Sequence, residues 1–422
     1  MKMIVIADDF TGANDTGVQL AKKGARTEVM LTSQQKPSRR ADVLVINTDS
    51  RALSAEQAAV AVKQALSPWV RPGQNSVLIY KKIDSTFRGN PGAEIAAAMA
   101  ASGTTLAIVA AAIPSAGRMT RNGECWVHQR PLLETEFASD PRTPIISSRI
   151  RTLIGLQTDL PVREMTLDDV RRGDLADRLE NLRQQPASIV IIDAESDNDL
   201  ALIARAAFSM AARPLLVGAA GLANALPTDS YMDSDQPLPV LVVAGSMSEM
   251  TRRQVAQAQR LGRADVVRIA VETLLAPEKE QKEIVEQACQ ILAQNRHCVL
   301  QTSSHGDDRN QIAALTGKYA LSREALGETL SRRMGDITLA ILDRARTGGL
   351  FLTGGDIAIA VANALGAEGY RIHGEVAPCI PCGTFVNSDI DDLPVITKAG
   401  GFGTDDTLCD ALHYIEELYL NA

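Results

Sequence analysis

Aromatic side chains are scarce in this chain, at 4% of 422 residues. Its core must be built from Ala, Leu, Ile and Val, a composition suited to helices packed closely on a parallel sheet. Also missing is any run approaching the ~18 apolar residues of a membrane span. The first apolar stretch runs only from Ile4 to Ala7 before Asp8 and Asp9, too short for a signal-peptide core, so the expected location is cytoplasmic. Positive charge is not in excess. A net charge of −8 argues against general affinity for nucleic acid, which rests on clustered Lys and Arg. A local anion site is still allowed, because nearby cations outvote the global balance at short range. Six cysteines make no disulfide framework. Cys379 and Cys382 lack the second pair a zinc site needs and read as structural thiols.

What is present is alternation. Apolar runs at Met3–Ala7, Glu28–Leu31, Val43–Asn47, Ser76–Lys81 and Leu106–Ala111 read as strands. Between them, Ala13–Lys23, Ala55–Leu66 and Pro91–Ala101 carry helical spacing. After a long irregular stretch the pattern resumes with Ile189–Asp193, Asp197–Ala212 and Pro214–Val217. Leu226–Pro239 is polar, Pro-punctuated and aperiodic, the character of an interdomain linker. Strands at Val240–Ala244, Val267–Val271, Cys298–Gln301, Leu350–Thr353 and Val395–Lys398 then alternate with helices at Met250–Leu261, Glu278–Gln294, Arg323–Arg346 and Ile357–Leu365, and a last helix starts at Asp406. The expected fold is α/β in two domains, residues 1–230 and 238–422, each a mainly parallel sheet flanked by helices. A ligand cleft between them is the default site.

Several charged or glycine-rich segments follow strands, where parallel sheets place ligands. Asp8 and Asp9 leave the first strand directly, while Asn14 or Asp15 would serve as a helix cap. Asn47-Thr48-Asp49-Ser50-Arg51 offers an Arg able to fork onto a carboxylate. Lys81-Lys82-Ile83-Asp84-Ser85-Thr86-Phe87-Arg88-Gly89 crowds cations and a carboxylate beside a helix start at Pro91. Later come Ala244-Gly245-Ser246-Met247-Ser248, Thr353-Gly354-Gly355-Asp356 and Lys398-Ala399-Gly400-Gly401-Phe402-Gly403-Thr404-Asp405. Turns of this kind let backbone amides approach phosphate. None matches a Walker motif or a dinucleotide fingerprint. Gly218-Ala219-Ala220-Gly221 reads as helix–strand packing, and His305 as a surface or hydrogen-bonded core histidine rather than a lining of the cleft.

Ile6-Ala7-Asp8-Asp9-Phe10-Thr11-Gly12-Ala13-Asn14-Asp15, Lys82-Ile83-Asp84-Ser85-Thr86-Phe87-Arg88-Gly89, Thr353-Gly354-Gly355-Asp356 and Lys398-Ala399-Gly400-Gly401-Phe402-Gly403 resemble the signatures of the four-carbon acid sugar kinase family, in order and over nearly the whole chain. The resemblance implies an N-terminal acid-sugar domain, a C-terminal ATP domain, and use of ATP with magnesium. Asp9, Arg51, Lys81, Lys82, Ile83, Asp84 and Arg88 would contact the acid sugar. Ser246, Ser248, Gly354, Gly355, Asp356, Ile357, Gly400, Gly401 and Gly403 would contact the nucleotide, with Ile357 standing where relatives often have Thr. Asp84 is the first choice of base, with Asp9 and Asp405 as rivals; metal ligands and oligomeric state stay open, a homodimer among the options. A dehydrogenase would need the missing dinucleotide fingerprint. A non-catalytic acid-sugar binder would have no use for the phosphate-cradling turns.

Overall fold

The computed structural model describes residues 2–31, 37, 41–70, 77–141, 143–232, 237–276, 278–302, 308–388, 390 and 392–420. His305, Ser76 and residues 233–236 of the expected linker lie outside them. The chain separates into two units, one holding the described residues up to Met232 and the other those from Pro237.

The main sheet of the first unit contains β1 (Met3–Ala7), β2 (Thr27–Met30), β3 (Val43–Asn47), β4 (Leu78–Lys82) and β5 (Leu106–Ala110). A small antiparallel sheet follows from β6 (Arg118–Arg121), β7 (Glu124–Val127) and β8 (Arg130–Pro131). β9 (Val162–Met165), β10 (Ser188–Ile192) and β11 (Leu215–Gly218) complete the main sheet in the order β2-β3-β1-β4-β11-β5-β10-β9, with every neighbouring pair parallel. Both faces are covered, so alternate residues of one strand enter different cores. Met3, Val5 and Ala7 join one, and Ile4 and Ile6 the other.

Helix starts follow cap chemistry. Ser54 and Gln57 form a reciprocal capping box ahead of Ala55–Leu66. Pro91 opens the helix Pro91–Ser102, where its missing N–H costs nothing. The first helix, Phe10–Ala21, begins earlier than its spacing predicts: Asp9 is the cap, accepting from Gly12 N, and Asn14 and Asp15 lie inside the helix.

The second unit has β12 (Val240–Ala244), β13 (Ala264–Arg268), β14 (His297–Gln301), β15 (Gly349–Thr353), β16 (Gly369–Ala377), β17 (Ile380–Val386) and β18 (Val395–Lys398). They lie in the order β13-β14-β12-β15-β18-β17-β16. Five strands are parallel, and β17 and β16 add an antiparallel hairpin. β13 starts three residues before the expected Val267–Val271. It is an edge strand and tolerates Asp265 and Arg268, which hide its period from an apolar count. Cys382 is buried, but Cys379 is exposed at the hairpin turn with φ 66°, so only Cys382 has the structural role expected of both.

Candidate active site

In an open parallel sheet, loops from the carboxyl ends of strands open a crevice where winding reverses. In the first unit that point lies between β1 and β4. From β1 the chain winds out to β2 and β3; from β4 it builds the opposite half. Ala7 pairs with Asn47 and with Lys82, and Lys82 pairs with Gly218. The segments after these residues therefore emerge side by side.

Arg51 lies among their carboxylates. Its Nε donates to Asp8 Oδ2 at 2.7 Å, and its Nη2 donates to Asp8 Oδ1 at 3.2 Å and Asp9 Oδ1 at 2.7 Å. Asp84 Oδ1 is 3.9 Å from Nη2. Burial works to lower the Arg51 pKa, but the hydrogen bond and charge of Asp8, with the charges of Asp84 and Asp9, raise it above its ordinary value. Only Nη1 makes no bond to the described residues.

Asp84 is equally committed. It receives a fork from Arg88, Nε to Oδ2 at 2.9 Å and Nη2 to Oδ1 at 3.1 Å, and it accepts from the Thr86 hydroxyl and amide. Burial favours the neutral acid, yet the Arg88 and Thr86 hydrogen bonds and the charges of Arg88 and Arg51 prevail and hold its pKa far below the carboxylate range. A carboxylate so held is a poor proton acceptor, which counts against Asp84 as the base. Asp9 has one oxygen engaged by Gly12 N and Arg51, leaving Oδ2 available.

The two lysines of β4 separate, because successive strand residues face opposite sides. Lys82 lies 5% exposed at the crevice, and its ammonium makes no hydrogen bond or ion pair with the described residues. Burial lowers its pKa, against the pull of Asp8, Asp84 and Asp9. Gly12 allows this approach, since a Cβ there would lie 2.5 Å from both Asp9 Oδ1 and Lys82 Nζ. Lys81 is fully buried on the other face, its Nζ 2.7 Å from Glu94 Oε2 and bonded to the carbonyls of Ile6 and Lys82. Ile83 is in the core. Of the expected substrate contacts, Asp9, Arg51, Lys82, Asp84 and Arg88 therefore line a common cavity of about 330 Å³, and the side chains of Lys81 and Ile83 do not. Asp15 and Ala219–Ala220 line it too. Gly218 and Gly221 do pack tightly on backbone, as expected, but the residues between them reach the cavity.

The second unit reverses winding between β12 and β15, where Ala244 pairs with Thr353 and Thr353 with Lys398. Its three glycine-rich turns interlock. Ser248 caps the helix Glu249–Arg260 and donates to Gly400 O. Thr251 Oγ1 is 3.1 Å from Gly400 O and 3.2 Å from Thr353 Oγ1, and Gly354 N donates to Lys398 O at 3.0 Å. A side chain on Gly400 would collide with Ser246 Oγ. Lys398, absent from the expected contacts, ties the last turn together. It is 3% exposed and donates to the carbonyls of Ala399, Gly400 and Phe402 at 3.1, 2.9 and 3.2 Å. Burial lowers its pKa to about 8. The signal was its place at a strand end before Ala-Gly-Gly, the same cue as Lys82.

Beside these turns is a cavity of about 630 Å³, with Gly354, Gly355 and Lys398 at one end and Ala358, Tyr370 and Phe385 also lining it. Asp356 instead faces a separate groove with Arg332 and Asp336. Ile357 is buried in the core, where Gly245 gives it room, so its side chain is unavailable to a ligand. Asp405 is held by Arg253 at 2.6 Å and lines neither of these cavities. Among the described residues no group of three His, Cys, Asp or Glu side chains is placed to hold a metal ion, and no helix is long and apolar enough to cross a membrane.

Residues 3–226 match the family described as a sugar-binding N-terminal domain, and residues 241–408 the one described as a nucleotide-binding C-terminal domain. The chain is 64% identical to the D-threonate kinase of Salmonella typhimurium over 99% of both chains. It is 32% identical to the D-erythronate kinase of Heliobacterium modesticaldum, covering 98% of this chain and 97% of that one. A crystal structure of a domain of unknown function from Bordetella bronchiseptica, a domain-swapped dimer with bound citrate, is 31% identical over 99% of both chains with a TM-score of 0.48. With two domain matches in sequence and full-length identity of this order, the chain belongs to the four-carbon acid sugar kinase family.

Proposed function

We propose that the protein transfers the γ-phosphoryl group of ATP to D-threonate, giving 4-phospho-D-threonate. The observation that carries this reading is the cavity of the first unit, which offers the Lys82 ammonium, unpaired among the described residues, beside ordered carboxylates and the open Nη1 of Arg51. A small hydroxy acid matches both: its carboxylate answers the cations and its hydroxyls answer the acceptors. The opening motif through Gln19-Leu20-Ala21-Lys22-Lys23-Gly24 and the 64% identity support threonate. Erythronate, which differs in one hydroxyl's orientation, is the second reading and rests on the more distant relative.

In-line phosphoryl transfer needs positioning and charge neutralisation more than covalent chemistry. Lys82 and Arg51 Nη1 hold the acid carboxylate, and Asp9 Oδ2 orients the attacking hydroxyl and takes its proton. Asp84 acts through Arg88 and Arg51, keeping both cations in place. In the second unit, the amides of Gly354, Gly355, Gly400 and Gly401 and the hydroxyl of Ser246 meet the triphosphate, with the base lying toward Ala358 and Tyr370. Magnesium bound together with ATP would supply further charge neutralisation. The assignment of the domains, 1–230 to the acid and 238–422 to ATP, belongs to the same proposal.

The test is ADP release, by a coupled assay, from the purified chain offered each four-carbon sugar acid. Turnover with D-threonate well above D-erythronate and 3-oxo-tetronate is expected. Equal rates on all three would remove the substrate assignment, and no release on any would remove the reaction.

A further inference from the structure

The buried pair behind the site has no role in the chemistry just described, yet it bonds to three segments that lead into the acid-sugar cavity, at the ends of β1 and β4 and after β3. Lys81 and Glu94 are 0% and 1% exposed, and their charges meet at 2.7 Å. Glu94 Oε1 also accepts from Ser50 Oγ at 2.5 Å, and Ser50 is bonded in turn to Thr48 Oγ1 at 2.7 Å. Lys81 Nζ bonds to the carbonyls of Ile6 and Lys82. One charge pair thus fixes the ends of β1 and β4, the loop after β3, and the helix Pro91–Ser102 on which Glu94 lies. Ser50 immediately precedes Arg51, whose own amide is held by Asp8 O.

Removing two charges from water costs several kcal/mol per ion, and an apolar pair of similar volume would pack this position as well. A buried ion pair is weak evidence for stability, so its presence asks for another reason. We infer that Glu94, charge-balanced by Lys81, is a positioning residue: it holds Ser50 and thereby sets the Arg51 guanidinium against Asp8 and Asp9. Lys81 then serves the acid sugar through this lattice and not by contact. The inference builds on the proposed reaction, but the geometry it predicts can be read without turnover.

The discriminating variant is the double substitution Lys81→Met with Glu94→Leu, compared with Glu94→Gln and wild type. Glu94→Gln leaves Lys81 uncompensated and should lower Tm. The double variant should recover Tm while still depriving Ser50 of its acceptor. Its KM for D-threonate should rise at least ~10-fold, with KM for ATP within twofold, and its crystal structure should show Arg51 withdrawn from Asp9. Arg51 in its wild-type place in that crystal, or an unchanged KM for the acid, would overturn the inference. If the wild-type chain turns over no four-carbon acid, the reaction is wrong, and the crystallographic position of Arg51 alone decides the positioning role.

Discussion

Lys82 and Asp84 are two residues apart and have opposite duties, set by what surrounds each. Lys82 is a buried cation with no hydrogen bond or ion pair to the described residues, so Lys82→Met should remove the proposed principal grip on the acid. Loss of a charged contact of this kind costs about 2–5 kcal/mol, and it should appear in kcat/KM for D-threonate. Asp84 is a saturated acceptor whose pKa lies far below the ordinary 3.8. It is ionised throughout the working range, so the acid limb of kcat/KM should not titrate with it. Linkage fixes the sign for stability. A depressed folded pKa contributes stability that is fully present above the unfolded value and is lost as pH falls through the folded one. Asp84→Asn should therefore lower Tm at pH 7 and flatten the fall in Tm below pH 4, measured by calorimetry across acid pH.

At the scale of elements, the Lys398 turn carries a prediction of the opposite pH sense. Its pKa of about 8 lies below the ordinary 10.5, so between these values the unfolded chain binds more protons and stability rises with pH. Over the same window the ammonium that gathers three carbonyls loses a donor, and the turn proposed to meet the triphosphate should loosen. ATP affinity measured by titration calorimetry is expected to weaken above pH 8 while Tm climbs. Lys398→Met should abolish both trends. The elements themselves were legible where burial is two-sided. β1, β3 and β12 appear as apolar runs with the bounds the sequence predicts. The small sheet Arg118–Pro131, the helix Asp308–Tyr319 and the hairpin β16–β17 were not expected. β16 alternates charged, glycine and apolar residues with little burial, and a half-solvated edge gives no apolar run to count. The site motifs stood out because cations and carboxylates at strand ends are poorly explained by packing. What the sequence hid was direction: nothing in Lys81-Lys82 tells which lysine faces the crevice until the pairing of β4 is known. The caps were hidden in the same way, since Asp9, Asn14 and Asp15 are chemically alike and only the helix start distinguishes them.

For the whole molecule, the two sheets divide the labour, each with its own winding reversal and its own cavity. Hydrogen exchange on the intact chain should follow that division. A non-hydrolysable ATP analogue should protect 244–249, 353–356 and 398–404, and D-threonate should protect 8–12, 48–51 and 82–89. The most direct measurement of this partition is steady-state kinetics on two single variants, with each substrate varied in turn. Lys82→Met should raise KM for D-threonate and leave KM for ATP within twofold, and Lys398→Met should do the reverse. A Lys82→Met enzyme with normal KM for the acid, or with its defect confined to ATP, would contradict the account.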